Sequence, residues 1–229
     1  FSIFKTKWII AIKGFAHTFS NDLEIILRLH RVLIAANIPY KIIHFPDPVA
    51  WTNGPLTVKE LDRQRTLWQR GICDSIWFHK SLFMNPRFGW FGLFVFPFLV
   101  LGEALEHLVE FLAIIYSIVG IYLGIVDTYK LTLLLALIWG FTIIYTLCCL
   151  VVEEFTFRRY KSLKTVARLI LSACLEIFGY RQLSLISRDK GTRDFIKDFG
   201  EIKGFSKEVN EKVKQAIKEL RSRNGNNET

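Results

Sequence analysis

Cysteine, methionine and, over long stretches, charge are what this chain of 229 residues has least of. Its four cysteines form no C-x-x-C pair and have no histidine at metal-ligand spacing, so the sequence indicates neither a zinc site nor a disulfide framework. No charged residue occurs from 131 to 152, and from 88 to 126 the only charged or histidine side chains are those of Glu103, Glu106, His107 and Glu110. Two such apolar stretches in succession are not expected of a purely water-soluble protein. With 51% apolar residues, intrinsic disorder as the main state is excluded as well.

Positive charge is in excess, with a net charge of +9, and much of that excess follows the apolar stretches. From 155 to 190, two anions (Glu176 and Asp189) accompany eight cations, which are Arg158, Arg159, Lys161, Lys164, Arg168, Arg181, Arg188 and Lys190. Basic flanks of membrane spans lie on the cytoplasmic side. The sequence therefore predicts a multi-pass protein of the cell (plasma) membrane with cytoplasmic soluble parts and a cytoplasmic C-terminus. No nucleic-acid-binding motif accompanies the charge, so no nucleic-acid partner is expected.

The pattern divides the chain into four regions. Residues 1–87 are predicted to be soluble, 88–152 to lie in the membrane, 153–205 to be a basic amphipathic cytoplasmic segment, and 206–229 to be a helix with a polar, disordered tail. In the soluble region, FSIFKTKWII reads as a strand or turn and YKIIHFP as a strand. LEIILRLHRVLIAANI and the segment from Thr57 to Phe83 are predicted helices, the second starting at a capping box formed by Thr57 and Glu60.

The membrane region needs a break, because residues 88–126 would span about 58 Å as one helix, against a hydrocarbon core of about 30 Å. Pro97 and Gly102 are the predicted break points. Residues 88–101 are then expected to be interfacial, with spans at about 102–126 and 131–152. Residues 165–178 are expected to form an amphipathic helix on the membrane surface, and four spans are the alternative if 88–101 and 165–178 also insert.

Two polar clusters could carry chemistry. The first is Asn21-Asp22-Leu23-Glu24 followed by RLHR, where an aspartate at a helix start also has an ordinary explanation in the helix dipole. The second is RQRTLWQRG from Arg63 to Gly71, whose ordinary explanation is a cationic helix on an anionic membrane.

In order along the chain, NDLE, RLHR, PYKIIHFPDPVAWTNGP, RQRTLWQRG, NPRFG and EIFGYRQL resemble the membrane-bound processive family 2 glycosyltransferases. These include the cellulose, hyaluronan, chitin and poly-N-acetylglucosamine synthases. The resemblance runs from the first residue to about Phe205. It implies an α/β GT-A catalytic domain followed by transmembrane and interfacial helices. It also implies a hexosyltransferase that carries out inverting glycosyl transfer from a nucleotide-sugar donor to a glycan acceptor, with polysaccharide synthesis coupled to export across the lipid bilayer.

The resemblance implies roles for single residues. Asp22 corresponds to the catalytic base, and Gln64, Arg65 and Trp68 to residues that bind the acceptor and the diphosphate. The chain departs from the family at Asn21, where Glu is usual, and at Leu67, where Arg is usual; the loss of a cation facing the phosphates can cost 10²–10³ in rate.

Arg65 or Arg70 could compensate for Leu67. Trp68 alone could instead be a membrane-interface anchor. The chain starts at Phe1 without an initiator methionine, which predicts the C-terminal half of a longer protein, inactive by itself. The Asp-rich motif expected to hold a divalent metal (Mg or Mn) would lie in the missing half, and no metal is expected in these residues.

The stripe formed by Glu103, Glu106, His107 and Glu110 has helical spacing on an otherwise apolar segment. It could line the glycan path or dock against the catalytic domain, or its carboxylates could simply reach water at interface depth. Two functional alternatives stay open: a non-processive glycosyltransferase that acts on a lipid or short acceptor, and a degenerate, non-catalytic membrane subunit.

Overall fold

A computed structural model describes residues 2–43, 52–157, 162–175 and 178–225. Across them the backbone is helical between turns and extended connections, with α1 Thr6–Ala11, α2 Asn21–Ala35, α3 Val58–Phe78, α4 Phe96–Phe98, α5 Glu106–Tyr122, α6 Thr128–Phe157, α7 Leu163–Leu175, α8 Tyr180–Lys197 and α9 Phe199–Gly225. The chain forms two units, one of residues 1–107 with 187–229 and the other of residues 108–186.

The α/β class predicted for the catalytic part is wrong for these residues, because none of the described segments is a β-strand. FSIFKTKWII was expected to be a strand or turn, yet it runs into α1. Trp8 and Ile12 are four residues apart, so a helix brings both to one face, where they join the core of the first unit. Residues 40–43 of YKIIHFP lie in neither a helix nor a strand, and the rest of that segment lies outside the described residues. Strand propensity stabilises a strand only where a neighbouring strand takes its backbone hydrogen bonds.

The core of the first unit joins α1, α2, α3 and α9. Ile25 and Val32 of α2 are buried against the apolar stripe of α9, which consists of Val209, Val213, Ala216 and Leu220. The stripe predicted from Ser206 onwards is therefore confirmed, although its helix begins earlier, at Phe199.

The ends of α2 and α3 are closed by specific polar contacts. Thr57 accepts a hydrogen bond from the Glu60 amide at 3.2 Å, as the capping box predicts. After α2, Asn37 has a φ of 55°, a left-handed conformation that asparagine tolerates. Arg221 donates to the last carbonyl of α2, that of Ala35, at 2.6 Å and 3.1 Å. The tail predicted to be disordered is therefore helical up to Gly225, because this cation binds a carbonyl at the negative end of α2.

An unusual helical segment follows α3, built of the π-helical turns Phe91–Val95 and Leu99–Ala104 on either side of α4. Pro97 fits within it because the wider π turns flank the proline, and the helical conformation also passes through Gly102. The break comes at Leu105, three residues after the later of the two predicted points. Phe96 and Pro97 are buried, whereas Trp90, Phe94 and Phe98 are exposed.

The second unit contains most of α5 together with α6 and α7. Among the described residues, Thr128–Thr156 is the one helix long and apolar enough to cross a membrane, with 29 residues and a mean hydropathy of 2.4 in its most apolar window. At about 1.5 Å per residue it exceeds a hydrocarbon core of about 30 Å. It is apolar around its whole circumference, as membrane spans are. Trp139 of α6 donates to the carbonyl of Cys174 in α7 at 3.3 Å.

Candidate functional site

The carboxylate of Asp22 stands exposed in the first turn of α2. Its Oδ1 accepts hydrogen bonds from the Ser20 hydroxyl at 3.0 Å and from the Leu23 amide at 2.9 Å. Both bonds go to one oxygen, so they orient the carboxylate and leave Oδ2 directed elsewhere. A carboxylate held in this way can accept a proton from a hydroxyl that approaches Oδ2.

The neighbouring Asn21 stabilises the loop that enters α2. With its amide nitrogen turned towards them, it donates to the carbonyls of Ala16 at 2.7 Å and Thr18 at 3.2 Å. An ionised glutamate only accepts hydrogen bonds, so it could not make these two contacts. These two hydrogen bonds are a local structural reason for asparagine instead of glutamate at position 21.

The side chains of Gln64, Arg65 and Trp68 share one side of α3, within about 100° of one another at 3.6 residues per turn. The Trp68 ring is 50% exposed, and the Arg65 guanidinium lies 4.9 Å from its centroid. This cation–π contact joins a flat apolar surface to a positive charge. The three residues that the family resemblance groups by sequence are thus neighbours on one helix face.

Gly71 brings the start of α2 against α3. A β-carbon on this buried glycine would lie 2.5 Å from both the nitrogen and the β-carbon of Ser20, so no other residue fits without movement. Gly71 follows Trp68 by three residues, which is one helical turn. The contact therefore holds Ser20, two residues before Asp22, against α3 one helical turn after Trp68.

Substitution of this glycine tests the contact. We expect Gly71→Ala to lower the free energy of unfolding by about 1–3 kcal/mol, because the added methyl group forces two helices apart. Gly204→Ala is the matched control, since a β-carbon there meets nothing within 4 Å and alanine favours the helix. Denaturant unfolding of the purified protein in detergent measures both. A Gly71→Ala variant as stable as the Gly204→Ala variant would contradict the close approach.

Arg70 projects from the opposite side of α3. Its Nε donates to Asp74 at 3.2 Å and its Nη1 to Asp198 at 2.8 Å. Burial opposes the charged form of Arg70, but the bonds to these carboxylates outweigh it and raise the pKa of Arg70. Burial also raises the pKa of Asp74, against the opposing effect of Arg70. Arg70 is therefore already paired, and it does not take the place of the cation that Leu67 lacks.

Helix α8 packs on a third side of α3 and holds it in place. Thr66 donates to the Ser187 carbonyl at 3.1 Å, and Lys190 donates to Asp62 at 2.9 Å. Hydrogen bonds from Ser187 and Lys190 lower the pKa of Asp62. A β-carbon on Gly191 would overlap the carbonyl of Thr66, so the two helices touch through backbone. The face with Gln64, Arg65 and Trp68 thus belongs to a helix that is held on its other sides.

A buried ionic network forms around Glu24, two residues after Asp22. Glu24 and Arg28 have fully buried side chains and form an ion pair at 2.8 Å, and the other oxygen of Glu24 contacts His79 Nε2 at 3.1 Å. His79 Nδ1 faces the guanidinium of Arg31 at 3.3 Å. Because a guanidinium only donates, Nδ1 must accept, and the His79 proton is on Nε2, where it binds Glu24. Burial lowers the pKa of His79, which keeps the ring neutral.

The glutamate stripe pairs mainly with arginines of α8. In the first unit, Arg188 donates to Glu106 at 3.3 Å and also to the backbone carbonyl of Glu103. In the second unit, Arg181 donates to Glu110 at 2.6 Å. Among the possibilities raised for the stripe, this geometry favours a docking role, although its partner is α8.

Comparison with known proteins identifies the family of this chain. The sequence profile described as glycosyl transferase family group 2 matches residues 1–152, which is most of the chain. This chain belongs to glycosyl transferase family group 2. No curated protein matched it, and no solved structure matched it. Membership in the family makes it a transferase of the glycosyltransferase type, with a nucleotide-sugar donor and an acceptor as substrate classes.

A divalent metal ion can neutralise the diphosphate leaving group of a glycosyl transfer, and it needs several side-chain ligands that converge. Among them no three His, Cys, Asp or Glu side chains converge as ligands would. The side chains in the described part of this glycosyltransferase thus do not fit a resident divalent metal.

The sequence patterns missed several residues of this glycosyltransferase that the structure brings together. Phe19, Asp198 and Phe205 come from a loop and from the junction of α8 with α9, and they meet Arg70 around one cavity. Nothing in their local spacing signals this meeting. Glu24 and Arg28 did carry a signal, because two opposite charges four residues apart lie within the apolar stripe of α2.

Proposed function

We propose that this chain supplies the base and the acceptor-binding side chains for inverting glycosyl transfer from a nucleotide-sugar to a growing glycan, and that the same protein passes the polymer across the membrane. One observation carries the proposal above the others. This is the Gly71–Ser20 contact, which joins the start of α2, with its oriented Asp22 carboxylate, to the helix that carries Trp68 and Arg65.

The chemistry follows from these groups. The acceptor hydroxyl attacks the anomeric carbon of the donor, and its proton passes to Asp22 as the new carbon–oxygen bond forms. The bond from the anomeric carbon to the diphosphate breaks on the opposite side, so the configuration inverts. Trp68 offers an apolar plane to the C–H face of the acceptor sugar. Arg65 and Gln64 would supply a cation and an amide to stabilise the leaving nucleoside diphosphate.

A divalent metal that neutralises the diphosphate is part of the proposal. Mg or Mn would supply charge neutralisation to the leaving group. Because the described side chains do not form a site for this metal, we propose that its ligands lie outside the described residues.

The membrane arrangement is proposed to be multi-pass. Helix α5 has 17 residues, and most of its large apolar side chains are exposed, as are those of α6. A span at α5 and a returning span at α6 would put both ends of the chain on one side. The eight cations that accompany two anions from 155 to 190 favour the cytoplasm as that side.

The product distinguishes this function from its alternatives. In membranes that contain the full-length protein and a labelled nucleotide-sugar, we expect nucleoside diphosphate release together with a product of many sugar units. A product in which a lipid or short acceptor carries a single added sugar would instead indicate non-processive transfer. Absence of any donor turnover would favour the non-catalytic subunit, for which Asn21 and Leu67 are the sequence arguments.

A further inference from the structure

A cavity of about 390 Å³ opens in the first unit between the start of α2, the middle of α3 and the junction of α8 with α9. Its volume lies in the lower part of the range of small-molecule pockets, about 300–1,000 Å³. It is lined partly by the polar side chains of Asn21, Arg70, Asp74, Asp198 and Glu201, and partly by aromatic ones that include Phe19 and Phe205.

The charge of the cavity limits what it can bind. Three carboxylates, those of Asp74, Asp198 and Glu201, accompany one guanidinium, that of Arg70. Arg70 is already paired with two of these carboxylates. A diphosphate would meet an excess of negative charge and no unpaired arginine, so this cavity repels it. A neutral or cationic ligand with hydroxyl groups suits it, because carboxylates accept hydrogen bonds from hydroxyls.

The aromatic side chains point to the same class of ligand. Phe19 is 57% exposed and Phe205 is 40% exposed, although both lie beside charged groups. Arg70 lies 5.6 Å from the Phe19 ring centroid, and His17 packs at a tilt on Phe205 with 6.1 Å between centroids. Exposed rings beside carboxylates fit a molecule that has both a C–H face and hydroxyl groups, and a pyranose has both.

The location separates this cavity from the Trp68 face. Arg70 follows Trp68 by two residues, which puts the two side chains about 160° apart around α3. Asn21 nevertheless lines the cavity and is the neighbour of Asp22. The cavity therefore lies around the helix from the face with Gln64, Arg65 and Trp68, but next to the turn that holds the base.

We propose that this cavity binds one pyranose unit of the acceptor glycan, neutral or amino-substituted, as a subsite separate from the Trp68 face. The inference rests on the proposed function, since it names a second place where the acceptor of that reaction is held. It gives Asp198 and the α9 residues Glu201 and Phe205, which lie beyond the residues matched by the family profile, a part in acceptor binding.

Direct binding of sugars tests the subsite without any donor turnover. The probes are cellotetraose and its amino-sugar counterpart, the glucosamine tetramer, added to the purified chain in detergent and followed by saturation-transfer NMR. The measurements use a Trp68→Ala background, so that sugar bound at the indole does not contribute. We expect both tetrasaccharides to bind, and uridine diphosphate not to displace them.

Two substitutions then locate the binding. Phe205→Ala should weaken it about tenfold, because the stacking surface is lost. Glu201→Gln should weaken the amino-sugar probe more than the neutral one, because only the first depends on the negative charge. Phe15→Ala and Glu211→Gln are the matched controls, since both side chains are exposed and lie outside the cavity lining. Circular dichroism checks that each variant is folded.

Three outcomes would overturn the subsite: no binding of either tetrasaccharide, unchanged affinity in both Phe205→Ala and Glu201→Gln, or displacement by uridine diphosphate. The proposed function can fail independently, because it depends on donor turnover by the full-length protein. Loss of the subsite with intact turnover would remove only the second acceptor position.

Discussion

Asp22→Asn should lower the rate of donor turnover by the full-length protein by about 10²–10⁴, with little change in KM. The amide keeps the shape of the side chain, and its Oδ1 can still accept from the Leu23 amide. What it loses is the ability to take a proton from the attacking hydroxyl. Release of nucleoside diphosphate from a labelled donor, in membranes with matched amounts of protein, measures the effect.

A matched control separates catalysis from helix stabilisation. Asp127 precedes α6, and its Oδ1 accepts from the Tyr129 amide at 2.9 Å and from the Lys130 amide at 3.3 Å. If Asp22 only stabilises a helix start, Asp22→Asn and Asp127→Asn should both leave turnover unchanged. Equal turnover in the parent protein and in Asp22→Asn would therefore remove Asp22 as the base. A loss confined to Asp22→Asn would support it.

Glu24→Ala should have the largest effect on stability, lowering the free energy of unfolding by about 3–5 kcal/mol. The substitution leaves the Arg28 guanidinium in a fully buried position without its carboxylate, and it also removes the acceptor of His79. Denaturant unfolding in detergent measures the change. Glu211→Ala, at an exposed pair with Lys214, should make no measurable difference.

A second substitution shows whether the pair or the charge is responsible. Arg28→Met alone should destabilise the protein, because it leaves Glu24 buried without its cation. In a Glu24→Leu background the same Arg28→Met change should increase stability, because it removes an unpaired buried charge. If Arg28→Met has the same sign in both backgrounds, the two side chains are not coupled as the structure has them.

Several features of this fold could be predicted from residues that are close together in the sequence. The capping box at Thr57 and the apolar stripe of α9 depend on residues within a few positions of one another, and these predictions are confirmed. The strand at FSIFKTKWII is wrong because a distant helix, α9, decides which side of that segment is buried. Arg65 and Trp68 were grouped through the family resemblance, and their spacing of three residues brings them to one face of α3.

Other features could not be predicted because they depend on contacts distant in sequence. The Arg70–Asp198 ion pair joins residues 128 positions apart, and the Arg31–Asn210 hydrogen bond joins residues 179 positions apart. An arginine that is already paired with a carboxylate is not available to bind a phosphate. Whether Arg70 could compensate for Leu67 therefore depended on its pairing with Asp198, which only the structure shows. The position of the break near Pro97 was missed for a different reason. The π-helical turns around the proline accommodated it, so the helical conformation continued to Ala104.

The discontinuous first unit also constrains how the protein is made. Residues 1–107 are synthesised before α6, whereas the α9 residues that cover Ile25 and Val32 are synthesised after it. In between, the ribosome must deliver α6, which is apolar enough for the membrane. Domains generally fold as units during synthesis, and the first unit cannot close until α9 has been made. Ile25 and Val32 therefore lack their α9 partners during the time in which the apolar helix α6 is synthesised.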